Sequence, residues 1–181
     1  MKKALALVAS AILIVTLAGC ATEPKPESTA SENSSLALTK ATGEAQPVQT
    51  GFPTISLADN GEPTIKQVGG AAPAEFKLAT TIKGTGNVVT LSDLVTVHYS
   101  GWVWGGDLFD SSWTRGEPAQ FSLQQVIPGF TKALEGQTVG SQVIAVIPPA
   151  EGYGEQEVGG IPANSTLIFV VDILAATALP Q

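Results

Sequence analysis

Residues 95–113 read VTVHYSGWVWGGDLFDSSW and carry the only histidine and all three tryptophans of the 181-residue chain. Alternation at the start of this stretch places Val95, Val97 and Tyr99 on one face of a strand and Thr96, His98 and Ser100 on the other. Gly105 and Gly106 break the run, and Leu108, Phe109 and Asp110 begin a second one. The stretch reads as two strands joined by a glycine turn, with a tyrosine, a phenylalanine and an aspartate set along them.

Segments further out extend the same pattern. Residues 75–82 (EFKLATTI), 94–103 (LVTVHYSGWV), 119–123 (AQFSL), 141–147 (SQVIAVI) and 166–174 (TLIFVVDIL) are short, rich in β-branched or aromatic residues, and bounded by turn formers, which predicts strands. The last two are nearly unbroken apolar runs, so both of their faces need cover, at least in part. Only residues 128–136, PGFTKALEG, predict a helix, with Phe130, Ala133 and Leu134 on one side and Gly136 at its end. Two turns are marginal alone and must be held by packing. The expected class is therefore α+β, a curled antiparallel β-sheet wrapped across one short α-helix.

Upstream, residues 53–68 (PTISLADNGEPTIKQV) alternate on either side of an Asn-Gly pair, the signal of a tight hairpin turn. This predicts a hairpin extension over residues 51–74, ahead of a main domain at 75–176 and a tail at 177–181. Residues 21–50 contain no aromatic side chain and are dominated by Ser, Thr, Ala, Glu and Pro, too little apolar surface to offset chain entropy. They predict a disordered tether running to residue 50, with a reach of about 30 Å.

The chain opens MKKALALVASAILIVTLAGC. Two lysines followed by an apolar run form the layout of a secretory signal over residues 1–19, a little short for a retained membrane helix of about 20 residues. LAGC at residues 17–20 resembles a bacterial lipoprotein processing box. That resemblance implies a lipidated Cys20 as the mature N-terminus and an extracytoplasmic protein anchored to a membrane. A secreted chain with a single cysteine has no internal disulfide to form.

Without Lys2 and Lys3, seven Lys and Arg remain against sixteen Asp and Glu, a formal balance of −9. Nucleic acid is a poor partner for such a chain, since phosphate contacts need clustered cations. Zinc is excluded in practice, because one histidine and one acylated cysteine cannot supply its preferred ligands. No motif asks for a cofactor; the Gly84–Thr85–Gly86 triplet has no phosphate-loop context and reads as a turn.

Five segments, VHYSG (97–101), FDSSW (109–113), QVIPGF (125–130), IPPAEGYG (147–154) and IPANSTLIFVVDIL (161–174), resemble, in order, the motifs of FKBP-type peptidyl-prolyl cis-trans isomerases. The resemblance covers roughly residues 75–174 and implies an FKBP-like fold, proline-containing polypeptides as substrates, and help with the folding of secreted proteins. It implies catalytic roles for Tyr99, Asp110, Phe130 and Tyr153, and a proline cleft completed by Phe109, Val126, Ile127, Ile161 and Phe169. Phe130 would be the floor, where well-known members carry tryptophan. Ile127 N–H and the Tyr153 hydroxyl would meet substrate carbonyls, and Asp110 would lie beside the rotating amide. Macrolide immunosuppressants are implied ligands too, with Ala119 lowering a wall that carries phenylalanine in prototypes. The acidic loop EQEVGG at 155–160 is about one residue shorter than theirs.

Plainer readings stand beside these. Tyr99, Phe109, Phe130 and Phe169 are also good core residues, and Asp110 with Ser111 fits a turn or helix cap. His98 suggests a Ser-His-Asp hydrolase, but it faces away from Tyr99 and no G-x-S-x-G elbow exists. The main rival function is a non-catalytic peptide-binding chaperone or surface interaction module on the same fold. A lipoprotein that captures a small solute is a third class, which a single domain of this size does not favour.

Overall fold

The computed structural model describes residues 37–47, 50–66 and 70–178; the expected signal segment, Cys20 and the first part of the expected tether lie outside the described residues. Strands β1 (Glu44–Ala45), β4 (Lys77–Lys83), β5 (Asp93–Val103), β6 (Leu108–Ser111), β7 (Ala119–Ser122), β8 (Gln142–Ile147) and β9 (Leu167–Ala178) form one antiparallel sheet. Its order is β1-β4-β8-β9-β5-β6, with β7 pairing the first half of β5 while β6 pairs the second. Strands β2 (Thr54–Leu57) and β3 (Pro63–Lys66) form a separate hairpin, turned at Gly61, whose φ of 98 needs glycine.

Helix α2 (Pro128–Leu134) crosses the concave face of the sheet. Pro128 opens it, where a missing N–H costs nothing. The helix buries Phe130, Ala133 and Leu134. It lies so close to β8 that a Cβ on Gly129 would fall 2.3 Å from Ile147 Cγ2. The other helical pieces are α1 (Ser112–Arg115) and a 3-10 turn at Pro149–Glu151.

Strand β9 lies between β8 and β5, and its alternation feeds two apolar layers. Leu167, Phe169, Val171 and Ile173 join Val95, Val97, Tyr99 and the α2 residues on the inner side. Ile168 and Val170 join Ala79, Trp102, Ile144 and Val146 on the outer side, where Phe52, Ile55 and Ile65 of the hairpin segment pack against them. All six residues of β8 are buried. This is why β8 and the first part of β9 read as continuous apolar runs rather than alternating ones.

Two expectations need correction. The tether does not run to residue 50: Glu44 and Ala45 pair with Lys83 and Ile82 of β4, and Gln46 N–H donates to Thr81 O at 2.8 Å. Composition missed this because the partner is the open edge of a distant strand, which asks for backbone groups rather than apolar side chains. The tail likewise begins later than residue 177, since Thr177 and Ala178 pair with Leu94 and Asp93. Ala175, Ala176 and Ala178 have weak β propensity, and the ladder with β5 carries them.

Candidate active site

Eight of the nine cleft residues expected from the sequence line one cavity of about 350 Å³: Tyr99, Phe109, Asp110, Val126, Ile127, Phe130, Tyr153 and Phe169. They come from β5, β6, the entry to α2, the loop after the 3-10 turn, and β9. Ile161, expected with them, is not among the lining residues. Its N–H donates to Val158 O at 2.9 Å, closing a tight loop, and its side chain is 4% exposed in the inner core.

Phe130 forms the floor through edge contacts to three rings. Its centroid lies 5.3 Å from that of Phe169, 5.6 Å from Phe121 and 6.3 Å from Tyr99, with interplanar angles of 74° to 79°. Such edge-to-face geometry suits the ring quadrupoles. Phe109 meets Phe169 in the same way, at 5.6 Å and 83°. The strand beneath them has no side chain at Gly101, where an added Cβ would come within 2.6 Å of Phe109 and 2.9 Å of Phe169.

One polar cluster sits in this aromatic frame. The Tyr99 hydroxyl donates to Asp110 Oδ2, and the Arg115 guanidinium donates to Asp110 Oδ1 and, at 3.1 Å, to the Tyr99 oxygen. Arg115 also lies 5.6 Å from the Tyr99 ring centroid. Burial, and then the hydrogen bond to Asp110, raise the Tyr99 phenol above its ordinary value of 10.0, so it stays a donor at neutral pH.

Arg115 is aimed by α1. Ser111 caps this single turn by accepting from Trp113 N–H, and Gly116 ends it in the left-handed region at φ 78. Nothing in the periodicity of the sequence pointed to Arg115. Phe121 and Gln125 also line the cavity, though neither is among the residues that the resemblance implies. Phe121 had a visible signal, since alternation in β7 sets it opposite Val95. Ala119, opposite Val97, lies beside the core but outside the lining.

The structure places His98 elsewhere. It is buried on the outer side, its Nδ1 2.9 Å from Ser112 Oγ and its ring stacked on Trp113 at 3.9 Å. Burial pushes its pKa below 6.5.

Several known proteins are similar to this chain. Residues 86–174 match the family model of the FKBP-type peptidyl-prolyl cis-trans isomerases. FkpA of Buchnera aphidicola subsp. Baizongia pistaciae, an FKBP-type peptidyl-prolyl cis-trans isomerase, is 47% identical over 92 residues, which cover 51% of this chain and 37% of that protein. The FK506-binding protein of Streptomyces anulatus is 38% identical over 119 residues, 63% of this chain and 96% of that protein. The crystal structure of FkpA from Escherichia coli superposes with a TM-score of 0.56 at 36% identity, covering 70% of this chain and 53% of that one. The chain thus spans little more than a third of the Buchnera relative and almost the whole of the Streptomyces one. With a curved sheet, a single crossing helix and an aromatic cleft to match, the chain belongs to the FKBP-type peptidyl-prolyl cis-trans isomerase family.

Proposed function

We propose that this protein is an extracytoplasmic peptidyl-prolyl cis-trans isomerase, held at a membrane by a lipidated Cys20, that speeds the folding of secreted polypeptides. The observation that carries the catalytic part is the convergence of Tyr99, Asp110, Phe130 and Tyr153 on one aromatic cavity. The anchor rests on the LAGC box at residues 17–20.

Rotation about a peptide C–N bond costs about 18–20 kcal/mol because it breaks amide resonance, and an X-Pro bond turns over tens to hundreds of seconds unaided. No covalent bond need break. A planar amide is more dipolar than a twisted one, so moving it from water into this cleft disfavours the ground state relative to the transition state. Phe130, Phe169 and Phe121 hold the proline ring. The Tyr153 hydroxyl and Ile127 N–H orient the flanking carbonyls, and Asp110, fixed by Tyr99 and Arg115, faces the rotating bond. A million-fold acceleration needs about 8 kcal/mol, within reach of several such contributions.

The test is a protease-coupled assay on short X-Pro peptides with the chain from residue 21 onward. Turnover well above the spontaneous rate supports the proposal. Peptide binding without any acceleration, across several residues before proline, rejects catalysis and leaves a holding chaperone. Anchoring is tested separately by labelled fatty acid, which should be incorporated into the full-length chain in cells and lost on Cys20→Ser.

A further inference from the structure

The side of the sheet away from the cleft carries a row of polar side chains on neighbouring strands, with Gln142, Asp172 and His98 in register and Thr81 at the irregularity in β4. Thr81 Oγ1 donates to Gln142 Oε1 at 2.8 Å, and Gln142 Nε2 donates to Asp172 Oδ1 at 2.7 Å. His98 stands opposite Asp172 on β5. Asp172 is 2% exposed, a position where a carboxylate needs partners for its charge.

Its other oxygen is met from outside the sheet. Ala41 N–H donates to Asp172 Oδ2 at 2.7 Å. The residues that follow run along the edge of the sheet: Thr42 N–H donates to Gly140 O at 3.0 Å, Glu44 and Ala45 pair with β4, and Gln46 N–H donates to Thr81 O. Thr42 to Ala45 are all exposed, so little apolar burial holds this segment. Backbone hydrogen bonds and one buried carboxylate seat it. It passes so close to β4 that a Cβ on Gly43 would lie 1.9 Å from Lys83 O. Its far end closes a cavity of about 220 Å³ lined also by Phe52, Ile55 and Ile144.

We propose that residues 40–46 are a strap latched by the Asp172 carboxylate, and that protonation of Asp172 releases them from the sheet edge.

The argument is one of reciprocal coupling. Burial raises the Asp172 pKa, while the Ala41 N–H, the Gln142 amide and the Lys40 ammonium oppose that rise. Two of the three opposing groups belong to the strap, and a neutral carboxyl would gain little from its N–H donor and its ammonium, so where these contacts outweigh the burial the strap itself adds, a docked strap favours the charged carboxyl. By linkage, the charged carboxyl favours a docked strap to the same extent. Acidification therefore weakens docking. The other ionisable groups facing this place do not reverse the sign. His98 on β5 is held toward its neutral form by burial, which withholds a compensating cation. Asp59, on the hairpin turn, lines the same hollow without shifting Asp172. Lys40 also donates to the Asp59 carbonyl at 2.9 Å, so the strap ties the hairpin to the sheet. Release uncovers the β4 edge at Thr81, Ile82 and Lys83 and opens one end of the apolar cavity. An edge strand so exposed accepts an extended polypeptide.

The experiment measures amide-exchange protection of Ala41, Thr42 and Gln46 in the full-length chain, corrected for intrinsic rates, from pH 7 down to pH 4. Protection at these three amides should fall at least tenfold while that of β5 and β9 amides holds. The reciprocal arm uses Gly43→Ala, which unseats the strap without altering Asp172. Carbon-detected titration should then show the Asp172 carboxyl protonating at higher pH than in the wild type. Asp172→Asn should leave the strap loosely protected at every pH. Strap protection that does not change with pH overturns the proposal. So does an Asp172 titration that in Gly43→Ala is unchanged or moves to lower pH, the latter meaning that the strap acts on Asp172 chiefly by burying it; either outcome can be read even if Asp172→Asn fails to fold.

Discussion

The phenol of Tyr99 and the carboxylate of Asp110, eleven residues apart, are directly hydrogen-bonded, and Arg115 touches both. The aspartate is thereby oriented from two sides: by a buried donor inside the cleft and by an exposed cation at its rim. Neither strand nor helix geometry alone would fix that orientation.

Arg115→Ala should separate these supports. The ion pair is substantially exposed on both sides, so its loss should change stability by less than about 1 kcal/mol. Specificity for X-Pro peptides, measured as kcat/KM, should fall several-fold. Arg115 also lowers the Tyr99 pKa, so Tyr99 in the variant should ionise at still higher pH, read as phenolate absorbance.

A folded-state phenol raised above its unfolded value contributes stability that is fully present below pH 10 and lost as pH rises through the folded-state value. Unfolding midpoints should therefore decline above pH 10. Tyr99→Phe should remove that part of the decline, and a profile unchanged by this substitution would show that the phenol is not perturbed.

Tyr153→Phe keeps the ring in the cavity and deletes one hydroxyl. Weaker peptide binding by about 0.5–1.5 kcal/mol, the worth of one hydrogen bond, should appear as a rise in KM of roughly two- to twelve-fold, with the fold intact by circular dichroism.

Gly101→Ala should injure the cleft from below. The new methyl must displace Phe109 or Phe169, both of which line the cavity. Activity should drop at least tenfold, and the stability cost should stay in the range of about 1–3 kcal/mol typical of overpacking, as measured by denaturant unfolding.

His98→Ala tests the assignment from the other side of the sheet. It removes the stack on Trp113 and the hydrogen bond to Ser112, a loss of about 1–3 kcal/mol in stability. Turnover of the folded variant should remain near that of the wild type. Lost turnover without unfolding would mean the cleft has been misplaced.

Much of this architecture was legible in local pattern. The alternation through Val95, Val97 and Tyr99 set His98 apart from the cleft, and Pro128 with Gly136 framed the one helix of more than a turn among the described residues. What stayed hidden depends on distant partners. Arg115 matters only because a four-residue helix turns it back toward Asp110, and Glu44 is a strand residue only because β4 has an open edge. Ile161 differs in kind: it belongs to one of the ordered motifs, but it bridges Val158 and its side chain lies in the inner core. Eight of the residues that the ordered motifs single out line one cavity; spacing alone could not have brought them together.

The central strand β9 also bears on how the chain avoids misfolding. A slip of one residue along either neighbour would exchange Phe169 and Val171 for Ile168, Val170 and Asp172 on the cleft side. For the aliphatic residues that swap is nearly neutral, since both layers are greasy. Asp172 makes it intolerable, because in the wrong alignment it would carry a charge into the aromatic floor with neither Gln142 nor the Ala41 amide to receive it. The misplaced charge thus adds to the loss of the Phe169 ring contacts in opposing the wrong threading, so the residue that latches the strap also helps to hold the sheet in register.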